Sequence, residues 1–191
     1  MTAAQLSFLP PTRLSPEGFR YDEDMITAVE EARLAEQLGT LPFREFEFHG
    51  YLGKRRVVSY GWRYDFTGQR IEQTDAIPDF LLPLRDRAAA FADLQPPALV
   101  HALVTEYSAG AAIGWHKDRP AFGDVVGVSL LSPCLFRMRR KVGGKFERAS
   151  FRLAPRSAYL LRGAVRSAWE HSIPGVEELR YSITFRTLSR S

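Results

Sequence analysis

A chain of 191 residues, 45% of them hydrophobic and 25% charged, has the size and composition of one soluble globular domain. The single cysteine, Cys134, excludes an intrachain disulfide, and no apolar run is long enough for a membrane span or a signal peptide. We therefore expect one domain over residues 1–191, a monomer in a reducing, cytoplasmic compartment with no membrane contact. The net charge of +4 permits a polyanionic partner but does not require one.

Two helices are predicted in the first half of the chain, after a proline-containing arm over residues 1–18. Asp22 or Asp24 can cap the first helix, which should end near Leu38 because a glycine follows. The second helix is predicted over about residues 79–94, with a proline in its first turns, where a missing N–H is tolerated.

Strands are predicted on both sides of the second helix. Phe46 and Phe48 alternate with charged residues as in a half-buried strand, and residues 50–69 predict one or two hairpins. From about residue 98 to residue 188, short β-rich runs follow one another with turn residues between them. This order predicts an α+β fold, helices first, with a compact sandwich or barrel over about residues 98–188.

A short polar motif in this β-rich region points to a metal. If residues 114–120 are extended, His116 and Asp118 face the same side. Two histidines and one carboxylate form the facial triad of non-haem Fe(II) oxygenases, which leaves three positions open. His171, 53 residues beyond Asp118, is the predicted third ligand. Such a short motif is more often a surface polar pair, so a further element must decide.

Residues 180–186 supply that element, because they alternate as a strand with two different faces. Two arginines on the inner face of a β core are costly without an anion, and a dicarboxylate would bind them through paired hydrogen bonds. The alternative is an edge strand whose arginines lie in water. One face would carry Tyr181, Ile183 and Phe185, and the other Arg180, Ser182, Thr184 and Arg186.

The order and spacing of these residues resemble the AlkB family of 2-oxoglutarate and Fe(II)-dependent dioxygenases. The resemblance covers roughly the last 90 residues well and the earlier segments more loosely. It implies a double-stranded β-helix, or jelly-roll, core with the N-terminal helices packed on one sheet. It also implies oxidative dealkylation with Fe(II), 2-oxoglutarate and O2, the iron being held by His116, Asp118 and His171.

The resemblance also assigns co-substrate contacts. Arg180 would pair with the distal carboxylate of 2-oxoglutarate, and Arg186 would lie near the co-substrate end of the site. Tyr107 would donate a hydrogen bond to 2-oxoglutarate. Thr105 and Ser182 stand where the family has asparagines, and both can still donate, so we expect retained but altered contacts.

Alkylated DNA or RNA is the substrate that the resemblance favours, with a base flipped out of any duplex before it reacts. Arg55 and Arg56, followed by Tyr60 and Trp62, offer phosphate contacts and stacking faces in a segment that forms a lid in the family. An ordinary amphipathic hairpin with its aromatic residues in the core is the alternative.

A second basic run surrounds the turn at Gly143 and Gly144, and it would contact nucleic acid or serve as a solvated edge that discourages strand pairing. It consists of Arg137, Arg139, Arg140, Lys141 and Lys145. Two other functions stay open. One is the same chemistry on a protein side chain or small molecule, and the other is a non-catalytic β-barrel binding module with a coincidental triad.

Overall fold

The computed structural model describes residues 15–48, 51–65, 68 and 70–189, without the side chains of residues 46–48, 51–53 and 65. Most of the predicted N-terminal arm therefore lies outside the described residues. The strands, in chain order, are β1 (Phe19–Asp22), β2 (Arg44–Phe48), β3 (Tyr51–Tyr60), β4 (Trp62–Asp65), β5 (Arg70–Gln73), β6 (His101–Tyr107), β7 (Ile113–His116), β8 (Phe122–Leu130), β9 (Cys134–Val142), β10 (Lys145–Leu153), β11 (Ser157–Leu161), β12 (Glu170–Ile173) and β13 (Arg180–Leu188). The helices are α1 (Ala28–Leu38), α2 (Leu82–Phe91) and α3 (Ala164–Ala168), with 3-10 turns at Asp79–Leu81 and Pro96–Ala98.

Two antiparallel sheets form the core. The major sheet has the order β1-β11-β8-β13-β6-β3-β2, and the minor sheet has the order β10-β9-β12-β7. From β6 onwards the chain crosses repeatedly between the two sheets, which is the double-stranded β-helix that was predicted, within an α+β fold. Three strands that precede residue 98 also join the major sheet, so the sheet draws on more of the chain than the predicted core over residues 98–188.

The first helix begins later than predicted, and its cap is a different residue. Thr27 Oγ1 accepts a hydrogen bond from the Glu30 amide at 3.3 Å, and Glu30 Oε2 accepts one from the Thr27 amide at 2.8 Å. This reciprocal capping box requires a glutamate three residues after the cap, which neither Asp22 nor Asp24 has. Asp22 instead ends β1, where its carboxylate accepts a hydrogen bond from the Asp24 amide.

The two long helices pack on the outer face of the major sheet, as predicted. Leu34 and Leu38 of α1 and Leu84 and Ala88 of α2 share one buried cluster with the sheet. The sheet contributes alternate residues of β6, β8 and β13, including Val104, Val128, Ile183 and Phe185. None of the helices in the described part of the chain combines the length and apolarity needed to cross a bilayer.

A second cluster fills the space between the two sheets. Phe136 of the minor sheet lies 4.9 Å from Tyr159 of the major sheet, measured between ring centroids, and 5.2 Å from His171. Tyr107 and Leu161 also belong to this cluster. Polar side chains between the two sheets, such as His171, therefore pack against apolar residues.

A turn at Gly61 directs the β4–β5 hairpin away from the major sheet. Gly61 has a φ of +78°, and a Cβ there would lie 2.0 Å from the Val100 carbonyl oxygen, so only glycine fits. The Gly61 amide donates to the Asp75 carbonyl at 2.6 Å and ties the hairpin base together. Trp62 and Tyr64 consequently lie on a separate two-stranded ribbon.

Candidate active site

Strand pairing in the minor sheet brings the two predicted histidine ligands together. His171 of β12 stands directly opposite His116 at the end of β7. Their rings are 4.2 Å apart between centroids and are tilted by 60°. Two residues separated by 55 positions in the sequence thus become neighbours because β12 lies between β9 and β7.

Asp118 completes the triad from the loop that follows β7. Its Oδ2 lies 3.7 Å from His171 Nε2, and its side chain is only 8% exposed. Its Oδ1 accepts a hydrogen bond from Arg186 Nη2 at 2.8 Å. Burial alone would raise the pKa of Asp118, but the charge of Arg186, followed by those of His171 and Arg166, holds that pKa below its usual range. Asp118 is therefore a carboxylate.

Both histidines are held as neutral imidazoles. Burial lowers the pKa of His171 to about 4, even though Asp118 opposes the shift. Burial also lowers the pKa of His116, whose Nδ1 lies 2.9 Å from the Gly114 carbonyl oxygen. That carbonyl fixes Nδ1 as the protonated nitrogen, which leaves Nε2 as a free donor atom for a metal.

The donor set fits a facial-triad metal, although the side chains stand slightly apart. Adjacent ligands with bonds of about 2.1 Å to an octahedral ion lie roughly 3 Å from each other. The distance of 3.7 Å between His171 Nε2 and Asp118 Oδ2 is longer than that. Among the described residues no trio of His, Cys, Asp or Glu already has closed ligating geometry. Between His171 and Asp118 the excess over that separation is less than about 1 Å.

A polar pocket opens on the facing surface of the major sheet. Arg180 of β13 stands opposite Tyr107 of β6, and Ser182 stands opposite both Thr105 and Ser129. Arg180 is 1% exposed, and its Nε donates to Ser129 Oγ at 3.2 Å. Ser129 was not predicted from the sequence, since a serine in a β-rich run carries no distinctive pattern.

The Arg180 guanidinium is incompletely paired within this pocket. Its Nη1 is buried and has no hydrogen-bond partner among the described residues. Its Cζ lies 5.1 Å from the centroid of the Tyr107 ring. Burial raises the pKa of the Tyr107 hydroxyl, so this group stays a neutral donor. A buried cation with an unpaired N–H beside a neutral hydroxyl is suited to a carboxylate ligand.

Comparison with known proteins identifies the family. Residues 22–186 match the model of the 2OG-Fe(II) oxygenase superfamily, and this range includes the triad and Arg180. The chain belongs to this superfamily. The oxygenase therefore uses Fe(II), 2-oxoglutarate and O2, and it is an oxidative enzyme rather than a binding module.

Two relatives place the oxygenase beside AlkB homologues. It is 27% identical over 175 residues to a protein of Arabidopsis thaliana described as "Alkylated DNA repair protein ALKBH8 homolog". The match covers 79% of this chain and 49% of that protein, so the chain spans about half the length of the curated relative. The structure of OsALKBH1 superposes with a TM-score of 0.69 at 15% identity, covering 89% of this chain and 96% of that one. The fold is thus that of an AlkB homologue.

Arg186 lies at the triad end of the pocket and contacts a triad carboxylate. One nitrogen, Nη2, donates to Asp118, and another, Nη1, lies 3.3 Å from His101 Nδ1. Its Nε is buried without a partner among the described residues. Arg186, which was predicted to lie near the co-substrate, thus also forms an ion pair with Asp118 that the sequence did not indicate.

Two of the predicted substrate contacts lie on the wrong side of the sheet. In β3, Arg55 stands opposite Tyr107 and so shares its face, whereas Arg56 stands opposite Glu106. Arg56 donates two hydrogen bonds to Glu106, at 2.8 and 2.9 Å, on the helix-covered face. Tyr60 follows the same alternation and is 7% exposed in the core beneath the helices. The prediction for Arg56 and Tyr60 is therefore wrong, because alternate residues of one strand point in opposite directions.

The other two predicted substrate contacts lie on different elements. Arg55 is partly buried on the pocket face, and its charge reaches both Tyr107 and His116. Trp62 lies on the β4–β5 hairpin, on the same strand face as Tyr64. The Arg119 guanidinium lies 5.1 Å from the Tyr64 ring centroid, so the hairpin contacts the loop that carries Asp118.

Arg166 is a structural partner of this loop that sequence reasoning missed. Its guanidinium donates to four backbone carbonyl oxygens, those of Asp118 (3.2 Å), Arg119 (2.6 Å), Phe122 (2.7 Å) and Gly123 (3.0 Å). An arginine in a short helix has no sequence signature for this role.

Proposed function

We propose that the oxygenase removes alkyl groups from nucleobases in DNA or RNA. In this proposal His116, Asp118 and His171 hold Fe(II), and Arg180 pairs with the distal carboxylate of 2-oxoglutarate. The observation that carries the co-substrate assignment is the buried Nη1 of Arg180, which lacks a partner among the described residues. Leaving a buried donor unpaired costs roughly 1–3 kcal/mol, and more when the group is charged, so an anionic ligand is favoured there.

The remaining pocket residues orient the co-substrate. Tyr107 and Thr105 of the neighbouring strand β6, and Ser182 of the strand that carries Arg180, offer hydroxyl donors. Arg186 contributes its unpaired Nε near the triad while it keeps Asp118 ionised. When bound, iron, 2-oxoglutarate and O2 supply the oxidising chemistry that hydroxylates an N-alkyl carbon. For an N-methyl substrate, the C–N bond of the resulting hydroxymethyl group would then break, so that formaldehyde leaves and the hydroxyl proton passes to the base nitrogen. The 2-oxoglutarate would end as succinate and CO2.

The nucleic-acid substrate is supported by three observations. The curated relative is described as an alkylated DNA repair protein, and this chain is similar to about half of it. The chain carries a net charge of +4, which is compatible with a polyanion. Arg55 lies on the pocket face, where it could contact a phosphate, and Trp62 shares a hairpin face with Tyr64, which lies over Arg119, so it offers a ring for stacking beside the Asp118 loop.

The decisive experiment is a mass-spectrometric screen of modified oligonucleotides incubated with Fe(II), 2-oxoglutarate and O2. Loss of an alkyl mass from at least one DNA or RNA base, with equivalent formaldehyde, is the expected result. If all modified oligonucleotides stay intact while 2-oxoglutarate is consumed with a peptide or small molecule, the substrate is of the other class and the proposal fails.

Arg55 and Arg56 offer a matched pair for testing the pocket face. Arg55→Gln should raise the KM for the modified oligonucleotide several-fold, because a phosphate contact would be lost. Arg56→Gln should leave that KM unchanged and lower the stability, because Glu106 loses its partner. Equal KM values for the two variants would remove Arg55 from the substrate site.

We also propose a compartment and an oligomeric state. A buried free Cys134 fits a reducing, cytoplasmic setting, and we propose a monomer. Size-exclusion chromatography with light scattering measures the second of these directly.

A further inference from the structure

The outer face of the minor sheet carries a cluster of cations. Cys134, Phe136 and Met138 of β9 point into the core, so the alternate residues of β9 point outward. Their direct partners on β10 share the outward face, since opposed residues in an antiparallel pair point the same way. The outward cations, here called the basic face, are Arg137, Arg139, Lys141, Arg148 and Arg152.

Negative charge compensates this face only in part. At the outward positions of β9, β10 and β12, the one carboxylate is Glu170, which accepts a hydrogen bond from Arg139 Nε at 2.7 Å. Arg139 and Arg148 stand directly opposite each other, an arrangement in which like charges repel. Five cations against one carboxylate favour an anionic partner.

Aromatic rings alternate with the guanidinium groups across the basic face. Arg139 Cζ lies 4.7 Å from the Phe146 centroid and 4.3 Å from the Trp115 centroid. Arg148 Cζ lies 5.5 Å from the Phe146 centroid, and Arg137 Cζ lies 5.2 Å from the Trp115 centroid. Phe146 is 40% exposed, so it presents ring surface to solvent.

The basic face leads to the active site. Trp115 immediately precedes His116, and β7 is the edge strand of the minor sheet. The four strands of the sheet span about 14 Å at about 4.8 Å per neighbour, which is a suitable width for a strand of nucleic acid. β7 carries Trp115 on the basic face and His116 on the opposite face of the sheet, so a partner that lies across the basic face reaches the strand that carries His116.

Resting on the proposed function, we infer that the basic face binds the sugar–phosphate backbone of the nucleic acid whose base enters the active site. The cations contact phosphates, and the exposed rings contact sugars or neighbouring bases. Arg140 of the predicted basic run takes no part, because it pairs with Glu147 and lies over the Trp169 ring. Arg148 and Arg152, on the strand after the turn, take part instead.

The test compares two double variants that lose equal charge. Lys141→Gln with Arg148→Gln removes two of the five cations of the basic face. Arg33→Gln with Arg85→Gln removes one cation each from α1 and α2, which pack on the major sheet. Binding of an unmodified, fluorescein-labelled single-stranded oligonucleotide is measured by anisotropy at several salt concentrations, and melting temperatures verify folding. For the first variant, the slope of log K against log salt should become shallower by about 1.4, since each single-strand phosphate contact contributes about 0.7. The second variant should match the wild type.

Unchanged binding in the first variant, or equal weakening in both, overturns the inference. The inference is also overturned if the first variant loses binding to vesicles that contain anionic lipid but keeps its binding to the oligonucleotide. The basic face would then be a membrane contact. The probe carries no alkylated base, so this result is separate from that of the dealkylation screen. Failure of the screen removes the proposed substrate, and failure of the binding test removes only the basic face.

Discussion

Arg186 Nη2 donates to Asp118 Oδ1 at 2.8 Å, and the two side chains are only 9% and 8% exposed. The pair keeps the Asp118 carboxylate ionised in a site that burial would otherwise neutralise. The second carboxylate oxygen is left facing His171. Arg186 therefore prepares the acidic residue of the triad for a cation.

Removal of triad side chains should abolish metal binding. Asp118→Ala and His171→Ala should each weaken Fe(II) binding by at least about 100-fold, since loss of partners outside the ligand shell alone costs 10–100-fold. Titration with Co(II), followed by its visible absorption, measures this without turnover. Asp124→Asn is the control, because Asp124 pairs with Arg162 outside the triad. Wild-type affinity in both triad variants would show that the metal lies elsewhere.

Arg180 should determine the affinity for 2-oxoglutarate. Arg180→Ala should raise the KM for 2-oxoglutarate by about 10- to 100-fold, the equivalent of a charge-assisted hydrogen bond of roughly 1.5–3 kcal/mol. Arg180→Lys should restore only part of the affinity for 2-oxoglutarate, because an ammonium group cannot form the bidentate hydrogen bonds of a guanidinium. Co(II) affinity should stay unchanged in both variants. A wild-type KM in Arg180→Ala contradicts the assignment.

Arg166 should position the Asp118 loop. Arg166→Ala removes four hydrogen bonds to the carbonyl oxygens around Asp118 and should weaken Co(II) binding by about 10–100-fold. The KM for 2-oxoglutarate should change little, because Arg180 lies on a different strand. Arg162→Ala is the matched control: Arg162 binds Asp124 and the Ala92 carbonyl but does not contact this loop. If both variants lose stability alike and both keep Co(II) affinity, Arg166 is merely structural.

Burial of His101 makes stability depend on pH. Burial, reinforced by the neighbouring Arg186, holds the pKa of His101 well below its usual 6.5. Below about pH 6.5 the unfolded chain gains a proton that the folded protein refuses, so stability falls as the pH falls. The free energy of unfolding of the wild type relative to His101→Gln should drop by up to about 2 kcal/mol between about pH 7 and pH 5. Parallel denaturation profiles for the two proteins would contradict this.

We expect that Pro120 makes no hydrogen bond to the exocyclic amino group of the substrate base. It lies two residues after Asp118, is exposed, and has neither a side-chain acceptor nor a backbone donor. Pro120→Asp should shift the preference towards alkylated adenine or cytosine, because an unmet amino group costs roughly 1–3 kcal/mol. Ratios of kcat/KM on paired oligonucleotides measure the shift. A wild type that already strongly prefers these bases, with no change in the variant, means that the base is recognised elsewhere.

The sequence by itself determined the elements whose chemistry has a local period. Alternation in residues 180–186 separated the arginines from the apolar residues that face the helices. This follows from the pleat of an extended chain, which depends on neighbouring residues alone. The two-residue spacing of His116 and Asp118 indicated a shared site, but Asp118 lies in the loop after β7, so the pleat of a strand does not place it. The capping residue of α1 was predicted wrongly as Asp22 or Asp24, although Thr27 and Glu30 carry the spacing of a capping box in the sequence.

The tertiary structure decided everything that depends on register between distant strands. Alternation predicts that Arg55 and Arg56 point in opposite directions, but only the pairing of Arg55 with Tyr107 shows which of them faces the pocket. A slip of one residue would exchange them, and residues so far apart in the chain carry no local signal of their register. For the same reason the contacts of Arg166 with the Asp118 loop could be found only in the folded chain.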